Sequence, residues 1–506
     1  MRFIKKLSLV VLVNLRVLSY AAGNDYIQMR SLMNEKSLPL INITVDYSAL
    51  NTESFVNGDI EIADYQQRTE EQEVVKYSCK LRIRGVTASN LKKKSFAVKI
   101  VDQKGEELDV SLFGIRPDEN WILDAMAVDR IRMRNRICFD LWNEMSRTPY
   151  DTKYGNRNGT LGEFVEVYIN GSYFGLYCLT DKINRKLLNL KKYDKKANIV
   201  HGILYKGESS RRAGHDLLTY EDADFNQKSW NAWNLEYPED YPSKATWQPM
   251  MDLIDLCSSK TSDGDFVKSY QNYFYVDNIV DYLVMTTALN VDDNVYKNTI
   301  LSTTDIQEGH RFLYSPWDMD HSLGGRYNGG YENELAEPHR YDNRAPFDRL
   351  YGKGLDGFPE KVSKRWNELK DGVFSVEHVN SLLDKYKDLF VSSGAWSREY
   401  NKWNNIGYPD NLNQAVLQEN LSVELDYVKD WYRRNYANLC DYWKSRIKGD
   451  ANGDGKVNVA DIVEIVNYIL KIPSECFNKE NANINDDDVI DGEDVKAVVD
   501  IIMKTE

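Results

Sequence analysis

A twelve-residue segment near the end of the chain, Asp450 to Asp461, has the spacing of a calcium-binding loop. Oxygen-bearing side chains stand at positions 1, 3, 5, 9 and 12 of this segment: Asp450, Asn452, Asp454, Asn458 and Asp461. Gly455 at position 6 permits the sharp turn, and the backbone carbonyl of Lys456 falls at position 7, where a main-chain ligand is expected. An apolar pattern of helical period follows over residues 462–469. The segment is therefore predicted to bind Ca²⁺ and to lead into a helix.

The same pattern occurs a second time, closer to the C-terminus. Its ligand positions, including the main-chain one, are Asn483, Asn485, Asp487, Val489, Asp491 and Asp494. Asn483 replaces the usual first Asp, and Asp488 stands where glycine is usual, so this loop is expected to bind Ca²⁺ more weakly. The alternative is an acidic, solvated tail, since residues 448–506 carry 14 acidic and 6 basic side chains, −8 of the net charge of −14.

A loop followed by a helix, repeated within residues 448–506, resembles a type I dockerin domain. The resemblance implies a small all-α domain with two EF-hand-like calcium loops. It also implies a cohesin-type partner, because dockerins dock onto cohesin domains. Dockerin-like tails also occur where no cohesin scaffold is evident, so the sequence does not decide whether such a partner exists.

The segment Asn290 to Gly325 concentrates carboxylates, carboxamides and glycines. Two short apolar runs within it, residues 299–301 and 311–314, predict the two arms of a β-hairpin. Polar groups that enter and leave a hairpin can lie at the same end of a small sheet. We therefore expect the carboxylates on either side of the hairpin to lie close together.

These polar residues match the set that a kinase-type phosphotransferase uses. Asp293 is predicted to be the base that accepts the hydroxyl proton, and Asn298, five residues later, and Asp318 to hold Mg²⁺. Asp320 is a candidate second metal ligand or a turn residue, and Asp292 is the alternative base. Aspartate and asparagine are also common turn residues, so a hairpin flanked by them needs no function.

Four ordered segments resemble the CotH (spore coat protein H) kinase family, whose members resemble atypical protein kinases. They are Leu81 to Gly85 with Lys93 to Lys99, Trp121 to Leu123 with Asp129 and Arg134-Asn135, Glu163 to Gly171 with Gly175 to Tyr177, and the segment ending in Trp317-Asp318-Met319-Asp320. The resemblance implies an α+β, two-lobed, kinase-like domain over residues 76–447, with a β-rich N-lobe, a helical C-lobe and residues 22–75 as its β-rich N-terminal part. It further implies ATP with Mg²⁺ or Mn²⁺, and a protein substrate with a Ser or Thr acceptor.

Basic residues cluster around the first of these segments. Residues 80–85 and 95–100 alternate as strands, and the hairpin that joins them carries a glycine and a run of lysines suited to phosphate. A lysine run alone is more typical of a solvated turn, and no GxGxxG motif occurs here. The family resemblance singles out Arg84, Lys94 and Lys99 as the residues expected to contact the nucleotide phosphates.

The N-terminus and the composition bear on localisation. A basic start, a short apolar run and small residues near Ala21 predict a signal peptide over residues 1–21, and hence a secreted or surface-associated protein without a transmembrane segment. Six scattered cysteines predict mostly buried free thiols, although an exported protein could pair some of them. The net charge of −14 argues against a nucleic-acid partner.

Two further stretches carry structural predictions. Residues 121–145 read as one helix whose four arginines pair with carboxylates on its solvent face, and Arg134 is notable because it falls in a family motif. Residues 221–249 are polar and rich in aromatic residues, which indicates a surface insertion outside the core. The chain from residue 347 to 447 is predicted to be mostly helical.

Three functional hypotheses follow from these patterns. The first is an exported CotH-like protein kinase tethered through a calcium-binding dockerin. The second is a glycan-active hydrolase, because dockerins often accompany polysaccharide degradation and paired carboxylates can perform that chemistry. The third is a catalytically silent adhesin or assembly module, since ATP is scarce outside cells.

Overall fold

The structure is a computed structural model that describes residues 24–85, 88–207, 217, 224–295, 297–337, 344–406, 415–444, 447–485, 487 and 489–505. The predicted signal peptide and Asp488 lie outside these residues. No helix within the described ranges has the length and apolarity that a bilayer crossing requires.

The N-terminal part of the chain forms a closed barrel in the order β1-β2-β3-β4-β5-β7-β6. Neighbouring strands are antiparallel, except for β1 and β6, which pair in parallel and close the barrel. The strands are β1 (Leu40–Val45), β2 (Val56–Ala63), β3 (Val74–Arg84), β4 (Ser95–Val101), β5 (Asn120–Asp124), β6 (Gly162–Ile169) and β7 (Ser172–Asp181). Strands from residues 22–75 thus share one barrel with β3.

The alternation of side chains fills the barrel with its own apolar core. In β4, Phe96, Val98 and Ile100 are buried inside, whereas Ala97 and Lys99 are partly exposed, as a period of two requires. The strands predicted around residues 80–85 and 95–100 are confirmed.

Strands β6 and β7 form a β-hairpin. Its two turn residues, Asn170 and Gly171, have φ of +51° and +81°. Asparagine and glycine tolerate this left-handed conformation, which explains why this turn is readable from the sequence.

A second, five-stranded sheet and a helical region follow. The sheet has the order β12-β11-β8-β10-β9, with β8 (Ile203–Gly207), β9 (Ser229–Trp230), β10 (Trp233–Tyr237), β11 (Thr299–Thr303) and β12 (Leu313–Pro316); a two-stranded sheet pairs β13 (Asn405–Ile406) with β14 (Ala415–Val416). The helices are α1 (Asp25–Arg30), α2 (Arg134–Met145), α3 (Lys244–Cys257), α4 (Asp263–Ser269), α5 (Val276–Ala288), α6 (Phe358–Leu369), α7 (Val376–Ser392), α8 (Ala395–Trp403), α9 (Leu421–Tyr442), α10 (Val459–Ile469), α11 (Lys479–Ala482) and α12 (Gly492–Thr505). A β-rich N-terminal region is therefore followed by a largely helical one.

The single helix predicted over residues 121–145 is wrong. Its first part is strand β5 of the barrel, and the helix begins only at Arg134, where Asp129 accepts the backbone N–H groups of Met133 and Arg134. The arginines do pair with carboxylates, but Arg132, Arg134 and Arg136 are buried and do not face solvent.

The surface insertion predicted over residues 221–249 is also wrong. Strand β10 lies inside the second sheet, beside β8. Trp230, Trp233 and Trp247 are all buried in the main core. The polar composition of this stretch led to the wrong prediction, because three of its aromatic residues belong to the core.

A fully buried ion cluster holds helix α8 against the barrel. Glu399 Oε1 accepts hydrogen bonds from Lys93 Nζ at 2.6 Å and Arg132 Nε at 2.8 Å, and its Oε2 accepts one from the N–H of Leu176 at 2.8 Å. A Cβ on Gly175 would come within 2.9 Å of Glu399 and Lys93, so only glycine allows this close approach.

The last part of the chain forms a small unit around helices α10 and α12. Its fully buried apolar residues are Ala451, Ile465, Ala482 and Val498. A disulfide joins Cys440 on α9 to Cys476 in this unit, while the other four cysteines, Cys79, Cys138, Cys178 and Cys257, are free and buried. The expectation of mostly buried free thiols is confirmed.

Candidate kinase-type site and calcium loops

The hairpin predicted within residues 290–325 is present and ends in the candidate site. Strands β11 and β12 pair with Thr299 opposite Pro316, so Asn298 and Trp317 lie at the same end of the sheet. The N–H of Asn298 donates to the carbonyl of Gly207 at 3.0 Å, which brings the end of β8 to this place as well. Helix α5 leads the chain to Asp293 through a short turn.

Acidic side chains meet around His321. Asp293 Oδ2 lies 3.1 Å from His321 Nδ1, and Asp320 Oδ1 lies 3.4 Å from His321 Nε2. Lys297 Nζ lies 3.0 Å from Asp293 Oδ2. The imidazole thus bridges the candidate base and one candidate metal ligand.

The pKa values of this cluster depart from their usual range in opposite directions. Burial, opposed by His321 and reinforced by the carboxylates of Asp318, Asp124 and Asp293, raises the pKa of Asp320 to about 8. The pKa of His321 rises to about 9 because Asp320 and Asp293 outweigh its burial. Burial alone would raise the pKa of Asp293, but His321 and Lys297 lower it below the ordinary value. Asp293 is therefore a carboxylate at neutral pH.

The two remaining predicted residues of the kinase-type site share an unusual backbone conformation. Asp318 is exposed with φ +57°, and Asn298 is buried with φ +58°. Left-handed backbone at a residue other than glycine is uncommon and is enriched at functional sites. Among the described residues, the side-chain nitrogen of Asn298 has no hydrogen-bond partner. The side-chain N–H groups of Asn298 are therefore free of any hydrogen bond to the described residues.

Two residues that the sequence reasoning did not assign support this cluster. Asn135 Nδ2 donates to Asp124 Oδ2 at 3.0 Å, and Asn135 Oδ1 accepts from the N–H of Met319 at 3.0 Å. Asn135 fixes the backbone between Asp318 and Asp320, and Asp124 adds a further carboxylate. Asn135 belongs to one of the family motifs found in the sequence. Asp124 was not considered, because its strand was predicted to be part of a helix.

A basic group stands beside the acidic cluster. Arg84 and Lys206 each lie 5.5 Å from the centre of the Trp317 ring. Trp317 directly precedes Asp318 in the chain. Burial alone would raise the pKa of the nearby Glu236, but Lys182, Lys206 and Arg84 outweigh it and lower that pKa. Cations therefore concentrate at the same sheet end as the candidate metal ligands.

The other two candidate phosphate contacts are placed differently. Lys94 Nζ donates to the carbonyl of Ser89 at 2.6 Å. Lys99 pairs with Glu107 at 2.8 Å and lies four residues along β4 from Ser95, the barrel partner of Arg84. Four strand residues span about 13 Å, so Lys99 belongs to another part of the barrel wall.

The donor set of this site fits a divalent cation such as Mg²⁺. Carboxylate and carboxamide oxygens are the ligands that hard cations prefer. Asp320 carries a carboxyl group whose charge is opposed by three neighbouring carboxylates, a conflict that a cation would relieve. Asp318, Asp320 and Asn298 are the residues that could hold such an ion.

The first calcium loop is arranged around its first residue. Asp450 is fully buried and its carboxylate accepts the N–H groups of Asp454 at 2.9 Å and Gly455 at 2.8 Å. Gly455 has φ +82°, the turn conformation expected at position 6. Burial raises the pKa of Asp461 to about 6, and the carboxylates of Asp450 and Asp454 contribute to this rise. These residues fit Ca²⁺, because the ion would neutralise converging carboxylates.

The second loop is also held by its last ligand residue, Asp494, and contains one unpaired side-chain oxygen. Asp494 accepts the N–H groups of Ile484 at 2.8 Å and Asp491 at 3.0 Å, as Asp461 does for its own loop. Asn483 Oδ1, at the first ligand position, is buried without a hydrogen-bond partner among the described residues. Such an orphaned oxygen fits a calcium ligand.

Comparison with known families agrees with the order of these two regions. The model of the CotH kinase protein family matches residues 81–439, and the model of the dockerin type I domain matches residues 448–502. No curated protein matches the chain. The chain belongs to the CotH kinase family and carries a C-terminal type I dockerin domain.

Proposed function

We propose that the chain is an exported protein kinase that transfers the γ-phosphoryl group of ATP to a Ser or Thr hydroxyl of a secreted or surface protein. The observation that carries the proposal is the convergence of Asp293, Asn298, Asp318 and Asp320 at one end of a β-hairpin. These residues would supply the base, the carboxamide and the carboxylates that kinase chemistry uses.

Asp293 is the proposed base. Its ionised carboxylate accepts the proton of the acceptor hydroxyl as the oxygen attacks the γ-phosphorus, and the bond from this phosphorus to the bridging oxygen of ADP breaks. His321 and Lys297 keep Asp293 charged and oriented. Asn298, Asp318 and Asp320 would hold Mg²⁺ or Mn²⁺, which neutralises phosphate charge when bound.

Arg84 is the proposed phosphate contact. It lies over Trp317, next to the metal ligand Asp318, and a guanidinium binds phosphate oxygens through two parallel N–H groups. Lys94, whose amine is turned to a nearby carbonyl, is a weaker candidate, and Lys99 would contribute little because of its distance along β4.

In this proposal residues 22–75, which supply β1 and β2, complete the barrel as the N-lobe of a kinase-like domain over residues 76–447, and the helical region is its C-lobe. The dockerin, residues 448–506, would bind Ca²⁺ in both loops and dock onto a cohesin-type domain. The signal peptide, residues 1–21, would direct the protein out of the cell. The dockerin would then place the kinase on an extracellular assembly.

Transfer of labelled phosphate from ATP tests the proposal. Wild type with Mg²⁺ or Mn²⁺ is expected to label itself or a Ser-rich acceptor protein. Asp293→Ala and Asp318→Ala are each expected to lose at least about a hundredfold in rate, since each removes a catalytic group.

Asp388→Ala is the matched control, because this exposed aspartate on α7 pairs only loosely, at 3.5 Å, with Lys387. Its rate is expected to equal that of wild type. Label that persists in both site variants would contradict the assignment, and release of oligosaccharides by wild type would favour the glycan-hydrolase alternative.

A further inference from the structure

The dockerin region has little core of its own. Only four of its described apolar residues are fully buried: Ala451, Ile465, Ala482 and Val498. A domain below about 70 residues with so small a core usually needs a metal, a disulfide or a neighbouring surface to be stable. The structure provides two such supports at the junction with the CotH domain.

The first support is Lys370, at the end of helix α6 in the CotH domain. Its side chain is almost completely buried, with 1% of the residue exposed. Its Nζ donates a hydrogen bond to the backbone carbonyl of Asn452, the third residue of the first calcium loop. The neighbouring carboxylate of Asp371 attracts the amine, and the carboxylates of Asp450 and Asp454 in that loop do so as well. A buried ammonium group needs such partners, because an unpaired one is very costly.

The second support is covalent. The disulfide joins Cys440, on helix α9 of the CotH domain, to Cys476, which lies between the two calcium loops. Cys476 also packs against the main core of the CotH domain. Two exposed ion pairs cross the same junction, Arg433 with Glu475 at 3.8 Å and Lys444 with Glu480 at 3.6 Å, but such pairs stabilise little.

We propose that Lys370 and the Cys440–Cys476 disulfide fix the dockerin onto the CotH domain, so that Ca²⁺ in the first loop stabilises the CotH domain itself. The side chain of Asn452 is a calcium ligand, while its carbonyl is the acceptor for Lys370. An ion that orders the loop therefore holds this acceptor in place. Without the ion, the loop loosens, and the carbonyl of Asn452 is no longer held in position to accept the hydrogen bond of this buried ammonium group.

Calorimetric unfolding of the full chain tests this coupling. The main transition, which reports the CotH domain, is expected to rise by about 3 °C when Ca²⁺ at about a hundred times its Kd replaces chelator. Lys370→Met is expected to reduce this calcium-induced rise by at least half while titration calorimetry still detects Ca²⁺ binding. Lys364→Met, an exposed lysine on the same helix, is expected to keep the full rise.

Two further variants locate the ion that is responsible. Asp450→Ala is expected to abolish the calcium-induced rise, whereas Asp318→Ala, at the kinase-type site, is expected to retain it.

The Cys440→Ser/Cys476→Ser double variant, which tests the covalent link, is expected to show a separate, calcium-dependent dockerin transition. The proposal would be overturned if Ca²⁺ did not change the temperature of the main transition of wild type. It would also be overturned if Lys370→Met left the calcium-induced rise unchanged.

Discussion

At the scale of single residues, the Asp320 carboxyl group lies among three other carboxyl groups, those of Asp124, Asp293 and Asp318. Its pKa of about 8 stands well above the roughly 3.9 of an aspartate in an unfolded chain. The folded protein therefore binds this proton more tightly than the unfolded chain. The resulting contribution to stability is present below about pH 4 and is lost as the pH rises to about 8.

Asp320→Asn is expected to stabilise the metal-free protein at pH 8. The neutral amide removes the repulsion among the carboxylates, and a single stabilising substitution commonly contributes about 0.5–2 kcal/mol. Thermal unfolding in chelator should show the variant above wild type at pH 8 and close to it at pH 4. An Asp320→Asn variant that is no more stable than wild type at pH 8 would contradict the assigned conflict.

The sequence identified the polar residues that flank the hairpin as candidates, but not the residues that contact them in space. Asp293, Asn298, Asp318 and Asp320 could be proposed from the sequence because they flank a local hairpin. His321 was not, because its role depends on the spatial approach of Asp293 and Asp320 and no spacing rule encodes it. The predicted calcium ligands depend on no distant contact, since a twelve-residue loop holds a complete set.

At the scale of elements, helix α8 depends on the buried cluster of Glu399, Lys93 and Arg132. All three side chains are fully excluded from water. A buried ion pair is a weak source of net stability, but removing one partner leaves an uncompensated charge behind. The cluster therefore makes the contact between α8 and the barrel intolerant of single changes.

Glu399→Ala is expected to lower the free energy of unfolding by about 3–5 kcal/mol, the usual cost of breaking a buried pair. The matched control is Glu360→Ala on helix α6, an exposed glutamate whose loss should cost less than about 0.5 kcal/mol. Denaturant unfolding of both variants measures the difference. Equal stability of the two variants would show that the cluster does not hold α8 in place.

Helices and strands were predicted correctly where a local pattern determines them. The predictions failed where contacts with distant parts of the chain determine the structure. The Asn170-Gly171 hairpin follows from the φ values that its turn requires. Strand β5 was missed because a short run of buried apolar residues fits a helix or a strand equally well. Residues 221–249 were misjudged because their tryptophans find buried partners far away in the chain.

At the scale of the whole molecule, we expect the nucleotide to bind between the barrel and the second sheet. Arg84 comes from the end of barrel strand β3, whereas Lys206 and Trp317 come from the ends of strands of the second sheet. The sequence predicted the order of the regions, which the family matches confirm. It did not predict the closed barrel, because the parallel pairing of β1 with β6 joins residues more than a hundred positions apart.

Titration calorimetry of ATP binding in the presence and absence of Mg²⁺ tests the central claim most directly, because it does not depend on the identity of the acceptor protein. Wild type is expected to bind ATP with Mg²⁺ but not without a divalent cation, and Asp318→Asn is expected to lose this binding. Arg84→Gln should weaken binding at least tenfold, as loss of a charged hydrogen bond does, whereas Lys99→Gln should match wild type. If wild type binds no ATP with either Mg²⁺ or Mn²⁺, the kinase account is contradicted.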